Sequence, residues 1–167
     1  MGLFSTVVLP GAELSLGYAS ELCKTIPADV FNKMPSKDFN SPAFNIGHLA
    51  TYPNNVLGMI GRGDLVKPLP FSADLFKQGA ACVDQPGLYP SKDILMASFD
   101  EGYRRVIDAV RGCDDSVFER VNPIEGRFRE LMPTVGAAVN FMLGGHLQMH
   151  LGQISAWRRA MGLGSIH

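Results

Sequence analysis

Long apolar runs, clustered cysteines and a dominant sign of charge are all missing from this 167-residue chain. A membrane-spanning helix takes about 20 consecutive apolar residues, and no stretch here is that long. The opening MGLFSTVVLP is apolar but short and lacks a basic lead, so neither a secretion signal nor a membrane anchor is expected. The net charge is −1, which leaves no electrostatic footprint for nucleic acid or an anionic membrane surface. Cys23, Cys82 and Cys113 are odd in number, far apart and form no CxxC. They point to reduced, buried thiols in a cytoplasmic protein, with a reactive thiol as the alternative. No convincing alternation of apolar and polar residues announces strands.

What is present is a globular composition, 46% apolar and 19% charged, over a length suited to one domain (1–167) with a sizeable core. Four helical segments stand out. The first is expected over 11–26, with Leu14, Tyr18 and Leu22 at helical spacing. A short turn of helix is expected after Pro27. The second starts at Ser41-Pro42, a serine N-cap followed by proline at the first helical position, and runs to about residue 62. Pro53 should kink it or break it in two. Residues 63–90 hold Pro68, Pro70, Pro86 and Pro90, so they read as a long connection with one short helix after Ser72. The third helix spans 91–111 with Leu95, Phe99, Tyr103, Val106 and Val110 as its apolar stripe. Ser116 and Glu119 have the spacing of a capping box, and 122–133 reads as an extended excursion or hairpin. The fourth helix is expected from Thr134 as N-cap to Met161, ended by Gly162 and Gly164. The fold class is therefore all-α, a four-helix bundle. The long connection lets the second and third helices run parallel, giving an up-down-down-up order.

The fourth helix carries GGHLQMHLGQ, residues 144–153. Val135, Val139, Met142, His146, His150, Gln153, Trp157 and Met161 step by threes and fours and share one stripe, which the apolar neighbours turn toward the core. Histidines one turn apart can reach one metal ion, at bonds of about 2.0–2.1 Å. Two core histidines satisfied by hydrogen bonds are the plainer alternative. His48, in FNIGHLATY on the second helix, adds a third inward candidate, with Asn45 and Tyr52 on the same face. Three protein ligands would leave a position open for water or substrate, as catalytic sites do. Asn45 and Gln153 are candidates for orienting a ligand or a bound water, and Tyr52 for approaching the open position. Gly144, Gly145 and Gly152 would either admit a neighbouring helix or leave room for a substrate. His167, the last residue, is not expected to ligate. Arg104, Arg105, Arg158 and Arg159 could meet an anionic substrate, though basic residues near helix ends commonly serve the helix dipole.

Asn45-Ile46-Gly47-His48-Leu49, then His146-Leu147-Gln148-Met149-His150-Leu151-Gly152-Gln153, then Arg158-Arg159-Ala160-Met161-Gly162 together resemble the DinB/YfiT-like family of four-helix metalloproteins. The resemblance covers most of the chain. It implies one divalent metal ion, zinc or nickel, held by His48, His146 and His150, in an up-down-down-up bundle that often forms homodimers. It implies further that the protein acts as a metal-dependent thiol transferase, isomerase or hydrolase on a small molecule, with a low-molecular-weight thiol as one partner. The sequence departs from many relatives in having Leu147, Gln148 and Met149, none acidic or histidine, between the histidine pair. Leu147 also excludes the HExxH chemistry, which needs glutamate there as base. A metal-binding or stress-response module without turnover, and a structural bundle with an empty site, are the alternatives to an enzyme.

Overall fold

A computed structural model describes residues 2–166. His167 therefore lies outside the described residues. The chain is all-helical there, and its single β-bridge pairs Val121 with Thr134.

Helix α1 runs Leu3–Lys24, eight residues earlier than its periodicity announces. Its start is fixed from far away in sequence. The Asp115 carboxylate accepts the Leu3 and Phe4 N–H groups at 2.8 and 3.2 Å, and the Phe4 ring stacks on Phe118. These contacts offset the hydrogen bond that Pro10 removes inside the helix. The apolar part of its buried face is Leu9, Ala12, Leu16, Ala19, Leu22 and Cys23, joined by Ser5 and Ser15. Leu14 and Tyr18, expected inward, point out, at 76% and 40% exposure. Three small residues and three large ones outline the true stripe, and size-blind periodicity favours the wrong leucine.

The second segment is broken, as Pro53 requires, into α2 (Pro42–Ala50) and α3 (Pro53–Met59). Ser41 Oγ accepts the Phe44 N–H at 3.2 Å as N-cap. Pro53 opens α3, where its missing N–H costs little. Its ring packs on α4 (Lys92–Arg111) at Gly102, where a Cβ would lie 2.8 Å from Pro53 Cγ. The proline thus fits a surface without a side chain. All nine residues of α2 are buried, because it packs against both α4 and the last helix.

The connection 63–90 contains two 3-10 turns, Gly63–Leu65 and Ala73–Leu75, the second begun by Ser72 as expected. Its anchor is Phe76, fully buried against Phe44 and Tyr89. On α4 all five expected stripe residues are buried. The short α5 (Ser116–Glu119) forms without a capping box: Asp115 is its N-cap residue, and its carboxylate is committed to α1. Residues 120–135 make an excursion closed by backbone bonds Val135 N to Arg120 O (2.8 Å) and Asn122 N to Pro133 O (3.0 Å). Inside it lies α6 (Arg127–Leu131), a turn of helix where an extended chain was expected.

The last segment begins with Thr134 as N-cap, as its sequence announces, but is not one α-helix. It comprises α7 (Val135–Asn140), a π-helical turn over Phe141–Gly145, and α8 (His146–Ala160). Gly162 then ends it in the left-handed conformation, φ +76°.

Cross-links fix the directions. Ser5 Oγ donates to Val110 O, and Lys92 Nζ donates to Ile26 O, so α1 and α4 are antiparallel. Asn40 meets Gln153, Asn45 meets His150 and His48 meets His146, so α2 and α8 are antiparallel. Arg158 donates to Leu22 O, near the ends of both α8 and α1, so these two run together. The order is up-down-down-up.

Candidate metal centre

Facing turns of α2 and α8 bring His48, His146 and His150 together. They are 7%, 7% and 9% exposed, and one ring nitrogen from each lies within 4.8 Å of the others. Among the described residues no acidic or cysteine side chain joins this cluster. His48 and His146 present Nε2 to Nε2 at 3.3 Å. Two nitrogens bound to one ion at about 2.0–2.1 Å and a tetrahedral angle stand roughly 3.3–3.4 Å apart, so the spacing suits shared ligation.

The other face of two rings is occupied. His48 Nδ1 lies 2.6 Å from the Phe76 carbonyl oxygen and His150 Nδ1 lies 2.8 Å from Asn45 Oδ1. An oxygen acceptor there requires the proton on Nδ1, which leaves the Nε2 lone pair free. Asn45 is itself aligned by donating from Nδ2 to Ser41 O (3.2 Å) and Asn40 O (3.4 Å). This is the support that metal-binding histidines characteristically receive. His146 differs: its Nδ1 is buried without a partner among the described residues. The cluster could hold a metal ion, and its donor set of neutral imidazoles suits zinc, nickel, copper or iron.

Burial, reinforced by the neighbouring His48, pushes His146 down to about 4. The same causes, with His146 added, push His150 down to about 3. Both rings are therefore neutral at pH 7, the form that binds metal. Tyr52 closes one side, its ring edge-on to His48 and His146 with centroids 4.9 and 4.5 Å away; burial raises its pKa.

Of the residues singled out from sequence, Asn45 and Tyr52 touch the cluster. Gln153 does not. It is exposed and accepts a hydrogen bond from Asn40 at 3.3 Å, because α8 turns that position past the edge of α2. Gly144 and Gly152 are not points of close helix approach, since a Cβ at either meets nothing within 4 Å. The close approach is at Gly47, where a Cβ would run into the Phe76 ring. Gly144 and Gly145 instead lie in the π-helical turn that immediately precedes His146. Of the arginines, Arg158 is buried and spends its guanidinium on Leu22 O, Thr25 Oγ1 and the C-terminal carbonyls; Arg104 pairs with Asp100, and Arg159 with Ser155. Neither they nor Arg105 line the histidine cleft. All three cysteines are free, but only Cys23 is buried, its thiol pushed up to about 12 by burial; Cys82 and Cys113 are half-buried.

The Phe76 carbonyl is the site component that sequence reading missed. A backbone group has no residue signature, and Phe76 lies 28 positions from the histidine it holds.

Fold and site together define an all-α bundle with a buried three-histidine cluster between facing helices. The model of the DinB superfamily matches residues 13–154, and the chain belongs to that superfamily. No curated protein matches it. No described helix is long and apolar enough to cross a membrane.

Proposed function

We propose that the protein binds one divalent metal ion, zinc or nickel, through His48, His146 and His150, and uses it on a small molecule. The observation that carries this reading is the orientation of the rings: Phe76 O and Asn45 Oδ1 hold two Nδ1 protons outward, so that lone pairs point at a common centre. Three protein ligands leave a position open toward the adjoining cleft. The bound ion supplies Lewis acidity, which brings the pKa of a coordinated thiol or water toward neutrality. A metal-dependent thiol transferase or a hydrolase would use the site in that way.

The chain's own residues have separable parts in this scheme. His48, His146 and His150 bind as neutral donors. Asn45 and the Phe76 carbonyl fix ring orientation and tautomer. Tyr52, edge-on to two of the rings, limits access from one side. Among the described residues no carboxylate lines the cleft, so none of them is at hand there as an acidic general base.

Elemental analysis of tag-free protein tests the proposal. About one ion per chain is expected, lost in His48→Ala, His146→Ala and His150→Ala and kept in His167→Ala. Asn45→Ala should keep the ligands and weaken affinity about 10–100-fold. Equal metal content in all these variants would overturn the assignment. With metal established, thiols offered with electrophiles, against esters and amides, separate transfer from hydrolysis.

A further inference from the structure

The cleft in front of the histidines has a volume of about 630 Å³, within the range of small-molecule sites. Its lining divides by chemistry. Phe44, Phe128, Phe141, Met142 and Met149 form apolar walls, with the Phe128 and Phe141 ring centroids 6.0 Å apart. Lys77 is the one charged side chain lining it among the described residues. Lys77 pairs with Asp74 at 3.1 Å, but both are well exposed, 67% and 82%. Such a pair is weak and leaves ammonium protons free.

We propose that this cleft takes an amphipathic organic anion: an aryl or branched-alkyl body between the aromatic and methionine walls, with a carboxylate or similar group drawn to the positive charge of Lys77 and of a bound ion. This rests on the metal reading above and extends it to the class of ligand. Charge balance supports the choice. Three neutral imidazoles bind a dication without neutralising it, and among the described residues no acidic side chain lines the cleft to compensate. A neutral ligand leaves that charge unpaired. A small inorganic anion leaves the apolar walls wet.

Calorimetry with 2-naphthoate, 2-naphthalenemethanol and inorganic phosphate tests the proposal on zinc-loaded and metal-free protein. Naphthoate should bind zinc-loaded protein at least tenfold more tightly than either comparison compound. Lys77→Glu and Phe128→Ala should each weaken naphthoate severalfold, while elemental analysis finds the zinc retained. Equal binding of naphthoate and the alcohol, or naphthoate binding unmoved by both substitutions, overturns the proposal, the latter because the carboxylate would then be only a ligand to zinc. If the chain takes up no zinc, the metal reading fails by itself. Naphthoate must then still bind the metal-free protein and lose affinity in Lys77→Glu; absence of binding overturns the cleft proposal too.

Discussion

The α1–α4 pair and the α2–α8 pair of this bundle are held in different ways. Between α1 and α4 large apolar residues dominate and the charged contacts are peripheral: Asp115 caps α1, Lys92 donates to Ile26 O at 2.6 Å, and exposed Arg111 and Glu13 pair at 2.6 Å, with Ser5 Oγ donating to Val110 O as a buried polar link. Between α2 and α8 the polar groups are inside. Asn45, His48, His146 and His150 are buried, and the three imidazoles crowd one another. Burying polar groups costs stability unless each finds a partner; among the described residues His146 Nδ1 finds none, and neither does Tyr103 OH on α4. The first pair is built for cohesion. The second gives up cohesion for a cluster of donors.

Acid should break the comparison most strongly. His146 and His150 fall from an ordinary 6.5 to about 4 and about 3 on folding. Below pH 6.5 the unfolded chain therefore binds more protons than the folded one. The histidines' contribution is constant above that pH and is lost as pH drops toward the folded values. Urea unfolding of metal-free protein should show a loss on the order of a few kcal/mol between pH 7 and pH 4.5. His150→Leu should flatten that slope, and an unchanged slope would refute the assignment to the α2–α8 interior.

Glycine replacement sharpens the contrast at smaller cost. Gly47→Ala pushes Phe76 away, and with it the carbonyl that holds His48. Gly102→Ala instead crowds Pro53. Each should lose about 1–3 kcal/mol by overpacking, but metal titration should show weakened binding for Gly47→Ala alone.

The smallest effect is expected at the far end of α1. Asp115→Ala should cost about 1 kcal/mol in thermal or denaturant unfolding, as a lost helix cap does, and leave metal affinity as it was. Weakened metal binding there would mean that the two pairs are more tightly coupled than their contacts indicate.

Much of this organisation is legible in the residues. Ser41-Pro42, Ser91 and Thr134 mark helix starts because a capping oxygen acts on N–H groups two or three residues away. Pro53 marks a break for an equally local reason. The stripe of α4 is readable because its core residues are large and evenly spaced. The stripe of α1 is not, because small residues, Ser5, Ala12, Ser15, Ala19 and Cys23, outnumber the three leucines on its buried face. The early start of α1 was hidden because its cap comes from Asp115, 112 residues from Leu3. Gln153 misled because a helical stripe gives an angle around the axis, not the width of the neighbouring helix.

The sequence by itself determined the all-α class, the broken second segment and the three histidines as candidate ligands, since these follow from spacing, capping and side-chain chemistry along a few turns. Only the tertiary structure decided which nitrogens face one another, that Asn45 and a backbone carbonyl set two rings, and that Lys77 is the one charged side chain among the described residues to line an apolar cleft. Those features depend on groups distant in the chain meeting within hydrogen-bond or van der Waals range, and the packing of four helices fixes that.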